Sequence, residues 1–582
     1  MGCSSGARLV YSLAMHDLVI RQGTIVDGTG SAPQQGDIAI DGERVTRVGG
    51  VLGAARREID ATGHLVTPGW VDIHTHYDGQ VTWDPYLTPS SWHGVTTVVM
   101  GNCGVGFAPA APDRHQWLIE LMEGVEDIPG AALAEGIRWQ WETFPEYLDA
   151  IDPLPRVIDV GAQVPHGAVR AYVMGERGAK NQPATADDVA RMAVIVRDGI
   201  AAGALGFSTS RTLLHRAKDG EPVPGTFAAV EELLGIGRGM GAGVLELASD
   251  LMPEDPELAW MEQLSAETGR PITFACLQND ADPGQWRRLL DGATRAAARG
   301  AQLAPQIAAR PTGLLIGLQS SVHPLSGHAT YQAIAHLPLA ERVQHLRDPA
   351  VRARLLAETV QFANPIAAFI ASSFQKLYSL GTPPDYEPHP DRSVRVIAGR
   401  EGRTPLEVAY DLMLQEDGKA LLYFPLLNYS QSDFEPIREM LLHPLAIVGL
   451  SDGGAHCGVI CDASMPTFLL THWVRDRHRG ARLPLEFIVQ HQTSRTAALY
   501  GLHDRGRLAP GYLADVNVID LDALGLDAPE MVFDLPAQGR RLVQRAHGYR
   551  ATVKRGQVIF RDGVPTGALP GRLVRGAQSA PS

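Results

Sequence analysis

Chemistry is first legible in this chain at His74-Thr75-His76, between the apolar run GWVDI and the polar YDGQ. That context reads as the C-terminal end of a buried strand. Residues two apart on a strand point the same way, so both imidazoles can grip one cation. The alternative is a solvated strand end. Cys103 closes a second apolar run, GVTTVVMGNCG, either as a thiolate ligand or as a small buried side chain. Asp452 closes a third, LAIVGLSDGGAH, in the place a metal-assisted general base needs. Its other reading is the Asp of an Asp-Gly turn. Together, three such strand-end positions argue more strongly for a metal-dependent hydrolase than any one alone.

Positioning them requires a scaffold that lines up strand ends. Eight short apolar runs fit buried parallel strands: GWVDIHTH, GVTTVVMGNCG, VIDVGAQ, GALGFSTS, GAGVLELASD, PITFACLQ, AQLAPQIAARP and LAIVGLSDGGAH. Helical stretches such as ADDVARMAVIVRDGIAAG and PGQWRRLLDGATRAAARG separate most of them. This alternation predicts an α/β protein with a (β/α)8 TIM-type barrel over residues 68–505, whose βα loops build the site. Strands one, two and eight adjoin when such a barrel closes. Residues 16–67 and 506–575 instead alternate apolar and polar residues with Asp-Gly turns, predicting one small β-sandwich made from both ends. Residues 1–15 read as a disordered extension. An unusually long connection, 313–443, is either a lid or an insertion for packing or oligomer contact.

Further candidates line the predicted mouth. His166 follows strand three, Ser208 and Arg211 strand four, Arg310 strand seven, and His456 follows Asp452. Either arginine could hold a substrate carboxylate with two prongs, or could form a structural ion pair. The cluster His456-Cys457-x-x-x-Cys461 lacks a second pair at zinc spacing and reads as loop composition. With 51 basic and 65 acidic residues, the net charge of −14 disfavours nucleic acid or an anionic membrane as partner. Five cysteines make no disulfide framework, and no apolar run reaches bilayer length, so the expected setting is the cytoplasm.

PGWVDIHTHYD, GVTTVVMGNCG, GALGFSTS, SDGGAH and GRLAPGYLADVNVID together resemble the amidohydrolase superfamily, in particular its N-acyl-D-amino-acid deacylase (D-aminoacylase) group. The resemblance spans nearly all of residues 16–560, and the Cys of NCG is its most group-specific sign. It implies a metal site from His74, His76, Cys103 and Asp452, and deacylation of an N-acyl amino acid of D configuration by metal-activated water. It also implies a His from strand five and another from strand six, and a Lys for the substrate carboxylate. GVLELASD and ITFACLQND carry none of these. Glu246 lies where the first His falls, as a replacement zinc ligand or a buried paired Glu; near the second stand Cys276, Leu277 and Gln278. The expected cofactor is one divalent ion, zinc, with Asp452 as proton acceptor and donor. Two other readings stay open: a cyclic amide, lactone or carbamate as substrate, and a binding protein without activity.

Overall fold

The protein is described by a computed structural model covering residues 15–360, 362 and 365–581. The extension expected over residues 1–15 lies, up to residue 14, outside the described residues.

The eight predicted strands form one parallel sheet in sequence order: Trp70–Asp72, Val95–Met100, Asp159–Pro165, Gly206–Arg211, Val244–Ser249, Ile272–Ala275, Leu303–Ile307 and Ile447–Val448. Strands buried on both sides need apolar residues throughout, and the second strand, VTTVVM, is buried at every position. The ring closes just past the ends of strands one and eight. There Asp452 N donates to His74 O (3.1 Å) and His76 N to Gly453 O (2.8 Å). Local sequence sets the helix boundaries. Helix Ala186–Ala202 starts in a capping box of Thr185 with Asp188 and stops at Gly203, φ 117°.

Both ends of the chain meet in one nine-stranded sheet with its own core, including Ile20, Ile38 and Val66 from the front and Val516, Val518 and Val553 from the back. Strand Leu18–Ile25 bends at a bulge containing Gln22, φ 55°. Its first half pairs with Glu58–Asp60 and its second with Leu65–Pro68. This sheet is tied to the barrel through Asp159, at the start of the third strand. The carboxylate is fully buried and meets Arg505 Nη1 (2.8 Å), Lys554 Nζ (2.9 Å) and Arg555 Nη2 (2.8 Å).

Burial alone would raise the Asp159 pKa, but Lys554, Arg505 and Arg555 outweigh it and hold it far below the ordinary carboxylate range. A depressed carboxylate contributes stability that is full above its unfolded pKa and is lost as pH falls through the folded one. Asp159→Ala, which leaves Lys554, Arg505 and Arg555 with only Asp515, Asp504 and Glu43 as partners, is expected to cost about 3 kcal/mol. Urea unfolding checks this. The wild type should also lose stability steadily below about pH 4, whereas the variant's stability should fall less steeply over the same range.

The long connection after strand seven folds around a three-stranded antiparallel sheet of Gly313–Ile316, Leu422–Pro425 and Tyr378–Ser379. Its core includes Leu314, Ile316, Tyr410 and Phe424, and takes in Ile460 from the loop that follows Asp452. Leu315 N donates to Val459 O (2.6 Å), so the insertion braces that loop. Among the described residues, no helix is long and apolar enough to cross a membrane.

Candidate metal centre

The closure of strand one on strand eight brings the site together. His74 and His76 project from the same side, as their spacing requires, and both are buried. The backbone contact from Asp452 N to His74 O sets the carboxylate beside them. Asp452 Oδ1 lies 3.3 Å from His74 Nε2 and 3.7 Å from His76 Nε2. Asp452 itself takes φ 49°, and the two following glycines leave room that a side chain would fill. A Cβ on Gly453 would stand 2.5 Å from Ser90 Oγ, and one on Gly454 2.9 Å from Tyr77 Cδ1.

Cys103 arrives from strand two through a turn with φ above zero at Gly101, Cys103 and Gly104. A Cβ on Gly101 or Gly104 would collide with neighbouring backbone, at 2.4 Å from Gln163 O and 2.8 Å from Ser210 N. Two side chains fasten the turn. Cys103 N donates to Glu246 Oε2 (2.8 Å), and Gly104 N donates to Ser208 Oγ (3.0 Å), whose hydroxyl donates to Gly101 O. The thiol then stands 3.3 Å from His74 Nε2. His74, His76 and Cys103 can each offer a donor atom within 4.8 Å of the others.

The other predicted residues fall in different places. Glu246 faces the opposite edge of His74, with Oε1 3.8 Å from Nδ1. Ser208 is buried in the Cys103 turn. His456 joins the cluster, with Nε2 4.0 Å from Asp452 Oδ2 and its side chain 22% exposed. The rest are occupied elsewhere. Arg211 grips Glu257 with Nε and Nη2 and donates through Nη1 to Ala228 O. Arg310 is fully buried, bonded to Asp462 and Ser464 and stacked 3.9 Å from the Tyr386 ring centroid. His166 bonds to Thr209 and Glu232. Of the two roles open to each arginine, substrate clamp or structural ion pair, the structure shows the ion pair, with Glu257 for Arg211 and Asp462 for Arg310.

Three residues at the site had not been singled out. Gln306, on strand seven, meets His74 Nδ1 through Oε1 (3.0 Å). Glu126 lies 3.4 Å from His76 Nδ1. His215, half-buried after strand four, bonds to Ser210 Oγ (3.1 Å). Its pKa is lowered to about 3 by burial and by the nearby His456 and His76 imidazoles. Gln306 had a readable signal, a polar residue near the C-terminal end of an apolar strand; Glu126 had none.

The electrostatics fit a cation. Burial pushes the Glu246 carboxyl up to about 8, even though Cys103 N–H stabilises the charged form. Burial, then Glu246, push the Cys103 thiol well above its ordinary value. Burial would also raise Asp452, but His76, His74 and His456 outweigh it and hold it below its usual range. His76 is lifted to about 9 against the effect of burial by Glu126 and Asp452. Both Glu126 oxygens, Glu246 Oε1 and His76 Nδ1 are buried without a hydrogen-bond partner. Acidic groups crowded out of water around imidazole and thiol donors are the surroundings that a divalent cation would balance.

The model of the amidohydrolase family matches residues 57–560. The D-aminoacylase of Alcaligenes xylosoxydans xylosoxydans is 24% identical over 96% of this chain and 97% of its own length. The N-acyl-D-glutamate deacylase of the same organism is 28% identical, over 96% of each chain. The solved N-acyl-D-glutamate deacylase of Bordetella bronchiseptica, complexed with zinc and a phosphonate inhibitor, superposes with a TM-score of 0.63 at 24% identity, over 96% of this chain and all of that one. The strand-end site and the match along most of its length agree: this chain belongs to the amidohydrolase family.

Proposed function

We propose that the chain hydrolyses the amide bond of an N-acyl amino acid of D configuration, with His74, His76 and Cys103 holding one zinc ion and Asp452 moving the proton. The observation that carries this reading is His74 Nε2 at 3.3 Å from both Cys103 Sγ and Asp452 Oδ1, nitrogen and sulfur donors beside an ionised carboxylate. A zinc ion bound there would polarise a carbonyl and acidify water. Asp452 is the base because neighbouring imidazoles favour its ionised form, it touches the donor group and it is 15% exposed, whereas Glu246 is sealed and bonded to backbone. It takes a proton from the attacking water and returns it to the departing nitrogen, so that no amide anion is expelled. His456, part-exposed beside Asp452, is placed to touch a bound substrate. The D configuration is supported by the relatives, which include an N-acyl-D-aspartate deacylase 26% identical over 98% of this chain and 97% of its own length.

A panel of N-acyl-D-amino acids, their L enantiomers and cyclic amides, read by release of free amine, tests this. Turnover of the D series is expected. Activity confined to cyclic amides, or to none of the panel with zinc bound, would overturn the assignment.

A further inference from the structure

Glu126 is the last residue of helix His115–Glu126, and Asp127 ends the helix with φ 51°. This helix end is pinned to the loop after Asp452. Glu126 O accepts from His456 N, and Asp127 Oδ2 accepts from Gly458 N (3.0 Å). Ser321 Oγ of the long insertion donates to the same Asp127 carboxylate. The Glu126 side chain is thereby driven into the site, where it is 1% exposed.

Neither of its oxygens has a hydrogen-bond partner, and both face imidazoles. Oε1 stands 3.4 Å from His76 Nδ1, itself unpartnered, and Oε2 stands 3.5 Å from His456 Nε2. A buried carboxylate without donors is costly, so this arrangement favours an N–H on each imidazole nitrogen that faces it. For His76 that choice has a consequence. In neutral His76, the form that can ligate a cation, a proton on Nδ1 leaves the lone pair on Nε2, the atom 3.7 Å from Asp452 Oδ1. Gln306 Oε1 makes the same choice for His74, accepting from Nδ1 and leaving Nε2 toward Cys103.

We propose that Glu126 is a positioning residue of the metal centre, fixing His76 with Nε2 free for the cation and steadying His456 beside Asp452. The helix after strand two then serves His76 as strand seven serves His74. An outer carboxylate on a ligating histidine is worth roughly 10- to 100-fold in metal affinity. The inference rests on the metal site proposed above, and its test separates the two.

Full-length protein stripped of metal would be titrated with zinc against a chromophoric chelator, for the wild type, Glu126→Gln and Glu126→Ala. Zinc is expected to bind Glu126→Ala roughly 10- to 100-fold more weakly. Glu126→Gln keeps the volume and an acceptor oxygen, and is expected to fall between. Melting of each metal-free protein separates positioning from mere support of the fold. Lower melting with unchanged zinc affinity would overturn the proposal and leave the metal site standing. If Glu126→Ala does not fold, the isosteric Glu126→Gln decides, and wild-type affinity in it overturns the proposal. A wild type that takes up no zinc would overturn both.

Discussion

Asp452→Asn is expected to lower kcat roughly 100- to 10,000-fold, the range that loss of a general base produces. The substitution isolates the proton. Asn has nearly the same volume as Asp, and it tolerates the left-handed backbone that Asp452 adopts at φ 49°. The contact that closes the barrel here, Asp452 N to His74 O, is made by the main chain and survives the change. What goes is the charge. The His76, His74 and His456 imidazoles lower the pKa of this carboxyl despite its burial, which favours the ionised state a base requires. An amide cannot take a proton from water or pass one to a leaving nitrogen. Steady-state kinetics with the best substrate of the panel, beside a thermal melt, check the expectation. A kcat within a few-fold of wild type would remove Asp452 from the proton pathway.

The second large effect is expected at Cys103. Cys103→Ser changes one atom, so the turn held by Glu246 and Ser208 should persist, because Glu246 binds the backbone of residue 103 and not its side chain. Burial and the adjacent carboxylates oppose ionisation of this thiol, and a cation reverses that balance by binding the thiolate. The same acidic surroundings would therefore destabilise a free thiolate and welcome the metal. Serine supplies a poorer donor. Zinc affinity should fall by more than the roughly 10- to 100-fold typical of an outer-shell change, and turnover should fall with it unless zinc is in large excess. Zinc content and rate across a zinc titration provide the check. Wild-type values in both would make Cys103 a packing residue only.

The contrast between legible and hidden residues has physical causes. His74 and His76 could be read because strand periodicity fixes the direction of side chains two apart. Cys103 and Asp452 could be read because each ends an apolar run in a glycine turn that little else accommodates. The barrel followed from eight such runs, and the pairing of both chain ends followed from their shared alternation. Glu126 could not be read, since it is an ordinary helix residue until the loop at Asp452 folds against the helix end. His215 depends in the same way on a loop path. Arg211 and Arg310 leave two roles open in sequence. At a strand end either could clamp a substrate or form a structural ion pair, and the partners that decide it, Glu257 and Asp462, lie 46 and 152 residues away. Ion pairs over such distances leave no local trace in the sequence.

With Arg211 and Arg310 held in ion pairs, the proposed reaction depends most on the metal centre. Anomalous diffraction from crystals grown with zinc, measured on both sides of its absorption edge, tests that centre most directly. The predicted result is a single strong peak bounded by His74 Nε2, His76 Nε2 and Cys103 Sγ, with Asp452 alongside. A zinc-saturated crystal with no peak there, or with its zinc bound only elsewhere, would contradict it.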